Sequence, residues 1–119
     1  MKRILVAEDD PDYAGMLLAL LEDAGYHVEH APDGMEAHRL LSGGAFDLVI
    51  LDLAMPGLSG LEVMRTVSRG GGRCPVLVLT GHDAPEVRRE AEAAGIQRFL
   101  SKSADTDDIL AAVREALGG

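Results

Sequence analysis

The sequence is poor in aromatic residues, cysteine, positive charge and long apolar runs. Tyr13, Tyr26, Phe46 and Phe99 are its whole aromatic complement. Any core must therefore be aliphatic, and stacking on single-stranded nucleic acid, which needs aromatic platforms, is not expected. Lys and Arg number 11 against 20 Asp and Glu, a net charge of −9. That sign repels a phosphate backbone, so direct nucleic-acid contact is not expected. The single cysteine, Cys74, excludes an internal disulfide and a multi-cysteine zinc site. Its place before Pro75 and an apolar run reads as that of a small buried hydrophobe. No apolar stretch approaches the roughly 20 residues that span a bilayer. Between Met1-Lys2-Arg3 and Glu8 only four apolar residues intervene, too few for a secretory signal. The expectation is a cytoplasmic protein with no membrane association.

What is present is a regular alternation. At 119 residues and 47% apolar, the chain suits one hydrophobic core, and a single domain over residues 1–119 is expected. Ile4-Leu5-Val6-Ala7, His27 to Ala31, Leu48-Val49-Ile50-Leu51, Val76-Leu77-Val78-Leu79 and Gln97 to Leu100 read as five strands. The third and fourth are apolar at every position, as parallel strands covered on both faces are. Between them lie helical patterns. Pro11 to Ala24 puts Met16, Leu17, Leu20, Leu21 and Ala24 on one face, with Asp10 as cap and Gly25 as stop. A second helix runs from Asp33-Gly34 through Leu41, and a third from Ser59 to about Ser68 before Gly70-Gly71-Gly72. A fourth, about Pro85 to Ala94, has little beyond Val87 and alanines to bury. The last, Asp105 to Leu117, aligns Ile109, Leu110, Val113, Ala116 and Leu117. Five βα units with short connections call for a doubly wound α/β domain, with five helices on both faces of a parallel sheet.

In such sheets functional groups gather at the carboxyl ends of strands. Here those ends carry Glu8-Asp9-Asp10, Asp52, Thr80-Gly81 and Lys102. In the flavodoxin-like order 2-1-3-4-5 they converge on one crevice. Clustered carboxylates cannot all stay ionised unless a cation joins them, and an oxygen-only ligand set suits Mg²⁺. A hydroxyl and an ammonium beside that ion suit phosphoryl transfer, with Asp52 as nucleophile and an aspartyl phosphate as product.

Four motifs then carry a resemblance across essentially the whole chain. Ile4-Leu5-Val6-Ala7-Glu8-Asp9-Asp10, Leu51-Asp52-Leu53-Ala54-Met55-Pro56-Gly57 with Ser59-Gly60, Val78-Leu79-Thr80-Gly81 and Phe99-Leu100-Ser101-Lys102 follow in order. Together they resemble a response-regulator receiver domain of bacterial two-component signalling. The resemblance implies that Asp52 is the phosphoacceptor, Asp9 a direct Mg²⁺ ligand and Glu8 a ligand through water. It implies that Ala54 offers its backbone carbonyl to the metal, with Mn²⁺ able to substitute for Mg²⁺. Thr80 would be the hydroxyl that turns onto the phosphoryl group, Phe99 the aromatic switch that follows, and Lys102 the phosphate-binding lysine. Ala54 and His82 occupy positions that tune the lifetime of the phosphoryl group in that family. The implied partners are a histidine kinase or phosphotransfer protein, a downstream protein or output domain, and a second copy on phosphorylation. The surface of the fourth helix, fifth strand and last helix would carry the signal. Such a domain catalyses its own Mg²⁺-dependent phosphorylation and dephosphorylation but is not a turnover enzyme.

One position departs from the family pattern: Ser103 follows Lys102 where proline is usual, often through a cis bond. A non-proline cis bond costs roughly 2.5–4 kcal/mol, so a trans loop that holds Lys102 differently is expected. His27, His30 and His38 fall away from the strand ends and read as solvated or packing residues. Three other functions compete. An Asp-nucleophile phosphatase of haloacid-dehalogenase type wants an acid two residues after the nucleophile, where Ala54 stands. A nucleotide-binding module wants a phosphate cradle after the first strand, where Glu8-Asp9-Asp10 stands instead. A receiver-like binding module that is never phosphorylated would not need the full set of acids and hydroxyl.

Overall fold

Leu48-Val49-Ile50-Leu51 has no polar residue and all four side chains are buried, because the segment lies inside a five-stranded parallel sheet. The structure is a computed structural model that describes residues 1–52, 74–81, 89, 92–93, 95–96 and 98–118. Its elements are β1 (Arg3–Ala7), α1 (Pro11–Asp23), β2 (His27–Ala31), α2 (Gly34–Gly43), β3 (Leu48–Leu51), β4 (Val76–Thr80), β5 (Arg98–Ser101) and α3 (Thr106–Ala116). The strand order is β2-β1-β3-β4-β5, every pair parallel. This is the expected doubly wound architecture.

Alternate residues of the strands feed two apolar layers. Leu5, Ala7, Val49, Leu51 and Val78 face α2 and its buried Ala37. Ile4, Val6, Leu48, Ile50, Leu77 and Leu79 face α1 and α3, meeting Leu17, Leu21, Ile109 and Val113. The layers fix which side of the sheet each residue beyond a strand end will take.

The helices begin and end where the chain supplies caps. Asp10 accepts from the backbone N–H groups of Asp12 and Tyr13, Asp33 from Glu36, and Asp105 from Asp108. α1 closes with Tyr26 N–H donating to the Leu21 carbonyl and Gly25 N–H to that of Glu22. This turn needs Gly25 at φ +98°, a region that side chains resist. Its buried face is Ala14, Leu17 and Leu21; Met16 and Leu20 are only half-buried, and Ala24 is exposed at the cap. β5 ends at Ser101 rather than Leu100 because Ser101 still pairs with Thr80.

The expected third helix lies outside the described residues. Of the fourth, Arg89, Glu92 and Ala93 are described and helical. No described helix is long and apolar enough to cross a membrane. Cys74 is half-buried rather than buried, and burial pushes its thiol up to about 11, leaving it protonated and packed on the core at neutral pH.

Candidate functional site

The sheet's hydrogen bonds run one residue past β1, β3 and β5, and that extra residue places Glu8, Asp52 and Lys102. Glu8 N–H donates to the Ala31 carbonyl and Asp52 N–H to that of Ala7, each at 3.0 Å. Lys102 N–H donates to the Thr80 carbonyl, also at 3.0 Å. Glu8 and Asp52 thus extend neighbouring strands in register (Ala7 pairs with Leu51) and leave the sheet on the same face.

Three carboxylates meet there. One oxygen from each of Glu8, Asp9 and Asp52 lies within 4.8 Å of the others. Glu8 and Asp52 are buried, whereas Asp9 is exposed. Lys102 answers the buried pair: its Nζ donates to Asp52 Oδ2 at 3.0 Å and forms an ion pair with Glu8 Oε1. The second oxygen of Glu8 accepts from Asp10 N–H at 3.3 Å. One ammonium facing two buried carboxylates leaves an excess of negative charge. Burial, with the neighbouring Asp52 adding to it and Lys102 opposing, pushes the Glu8 carboxyl up to about 7. Burial would lower the Lys102 ammonium, but Glu8 and Asp52 outweigh it and the net shift is upward. The donor set is all oxygen, its spacing is compact, and its charge is only partly neutralised. Those properties fit a hard divalent cation.

The other expected residues fall as follows. Thr80 ends β4, half-buried, with its backbone tied to Lys102. Phe99 is half-buried in β5 and packs on the Leu5–Val78 layer. Asp10 is the cap of α1. Ala54 and His82 lie outside the described residues. The Lys102–Ser103 bond is trans. Serine hydroxyls build this loop: Ser103 N–H donates to Ser101 Oγ at 3.1 Å, and the two hydroxyls are 2.7 Å apart. Lys102 projects from the middle of this clip, so the missing proline does not displace it from Asp52.

Two neighbours were not expected. His30 does not stand apart from the strand ends: its Nε2 donates to the Glu8 carbonyl at 2.7 Å, bracing the β1–α1 turn that carries Asp9. Tyr13, in the first turn of α1, lays its ring against the Lys102 ammonium, 5.0 Å from Nζ to the ring centre. Tyr13 continues the α1 stripe of Leu17 and Leu20 one turn earlier, which is the signal that could have placed it near the sheet. Nothing in the sequence pointed to His30.

Comparison with known proteins identifies a family for the chain. A family model described as the response regulator receiver domain matches residues 4–114. Response regulator MprA of Mycobacterium sp. is 40% identical over 115 residues, 97% of this chain and 50% of that protein. The chain thus spans about half the length of these curated relatives. The response regulator receiver protein CpdR of Brucella abortus is 33% identical over 98% of both chains. Among solved structures, a CheY-like receiver domain protein of Methanospirillum hungatei superposes with a TM-score of 0.91 at 26% identity, covering 98% of this chain and 94% of that one. Response regulator TrrA of Thermotoga maritima, solved in complex with Mg²⁺-BeF, gives 0.85 at 33% identity, covering 98% and 99%.

Proposed function

The chain belongs to the response regulator receiver domain family, and from that membership we propose that it is a phosphorylation-activated signalling switch whose phosphoacceptor is Asp52. The observation that carries this reading is the convergence of Lys102, Glu8 and Asp9 on Asp52 at the open carboxyl end of the sheet. A carboxylate oxygen of Asp52 attacks the phosphorus of a phosphohistidine on a histidine kinase or phosphotransfer protein. An O–P bond forms, the N–P bond breaks, and its electron pair stays on the imidazole. Lys102, already beside Asp52, donates to the transferred phosphoryl oxygens and offsets their charge. Glu8, Asp9 and Asp52 would hold Mg²⁺, or Mn²⁺ in its place, which supplies further neutralising charge when bound.

Thr80 is the hydroxyl offered to the phosphoryl group and Phe99 the aromatic that follows it, changing a surface that includes β5 and α3. A downstream protein, an output domain or a second copy reads that surface in the cytoplasm. The test is labelling by acetyl phosphate with Mg²⁺ on a phosphate-sensitive gel. Wild type shifts and Asp52→Asn does not; an unchanged shift in the variant refutes the assignment.

A further inference from the structure

Lys102 is the sole cation facing the buried carboxylates among the described residues, and its surroundings include one group the reaction scheme does not use. Its ammonium has Asp52 on one side at 3.0 Å, Glu8 on another, and the face of Tyr13 on a third, 5.0 Å from the ring centre. The Tyr13 hydroxyl is buried with no hydrogen-bond partner among the described residues. A buried hydroxyl without a partner costs stability rather than adding it, so the useful part of this side chain is its ring. Asp10 fixes that ring in place by capping α1 through the Tyr13 N–H.

We propose that Tyr13 is the positioning residue for Lys102, its ring face holding the ammonium beside Asp52 while the charges of the carboxylates change. This rests on the phosphoacceptor reading and deepens it. Both anionic partners of Lys102 are altered in the reaction: Asp52 becomes an acyl phosphate, and Glu8 is shared with a divalent cation. The attraction of the ring quadrupole for the ammonium is independent of both changes. With only a fifth of the lysine side chain exposed, that attraction is partly shielded from water. The ring thus gives the ammonium a fixed neutral wall from which to reach the incoming phosphoryl oxygens.

The chain has two lysines, Lys2 and Lys102, so selective labelling of lysine ε-carbons yields two NMR signals. In wild type and Tyr13→Phe the Lys102 ε-protons should be shifted upfield of those of Lys2 by the ring current. In Tyr13→Leu they should move towards Lys2. Phosphorylation by acetyl phosphate should slow about three- to tenfold in Tyr13→Leu and stay within about twofold of wild type in Tyr13→Phe. Circular dichroism confirms folding of each variant, and Tyr13→Phe keeps the test decisive if Tyr13→Leu is unstable. A Lys102 signal unmoved in Tyr13→Leu, or a Tyr13→Phe variant that loses the upfield shift or the rate, overturns the proposal. Should wild type take up no phosphoryl group, the phosphoacceptor reading falls, while the lysine signal still decides the ring contact.

Discussion

Lys102 Nζ stands 3.0 Å from Asp52 Oδ2 across 50 residues of sequence. Each is held by its own strand's last hydrogen bond, so the ion pair follows from sheet register rather than from flexible side chains searching for one another. Its consequences are open to measurement.

Glu8 sets the pH dependence of the metal-free protein. Its carboxyl is raised from 4.5 to about 7, so the folded state keeps a proton that the unfolded chain has released. The associated stability is full below about 4.5 and is lost as pH rises through about 7. The unfolding free energy from urea denaturation should therefore fall between pH 5 and 8 by on the order of 2–3 kcal/mol. Glu8→Gln, neutral throughout, should give a flatter profile. Equal slopes in the two proteins would remove Glu8 as the cause.

Lys102→Met leaves Glu8 and Asp52 facing each other without their cation. The loss should be about 1–3 kcal/mol at pH 8 and smaller at pH 5, where Glu8 takes up a proton and the repulsion falls. Mg²⁺ should restore part of the loss at pH 8 by binding the folded state alone. Thermal unfolding with and without the ion reads both effects, and a pH-independent loss would contradict the charge argument.

Thr80→Ala should still be labelled at Asp52, because the hydroxyl is not the nucleophile. Its amide resonances in β5 and α3 should stay near their unphosphorylated positions when wild type moves. A wild-type response in the variant would deny Thr80 its switching role.

Ser103→Pro removes the N–H that donates to Ser101 Oγ. The expected cost is about 1 kcal/mol in chemical denaturation, with slower labelling at Asp52 as Lys102 loses one side of its clip. A variant as stable and as fast as wild type would show that the serine clip is dispensable.

The elements themselves were legible because each obeys a local rule. Unbroken apolar runs at Leu48–Leu51 and Val76–Leu79 mark strands buried on both faces, and Asp10, Asp33 and Asp105 mark helix starts. Glu8, Asp9, Asp52, Thr80 and Lys102 were legible too, since each directly follows or ends such a run. Ser103 was legible as a departure, but its remedy, a hydrogen bond to a serine two residues earlier, depends on the turn that the chain makes there.

His30 and Tyr13 were not legible as members of the site. The His30 contact requires β2 to pair with β1 so that Val6 lies beside His30 and the Glu8 carbonyl comes within reach of the imidazole. The Tyr13 contact requires α1 to pack on a face of the sheet so that its first turn comes beside a lysine that arrives from β5. By itself the sequence determined which of the described residues are strand and helix and which charged groups stand at strand ends, because periodicity and capping act over a few residues. Only the tertiary structure decided which buried charge meets which cation and which ring covers it, because register and helix placement act over the whole sheet.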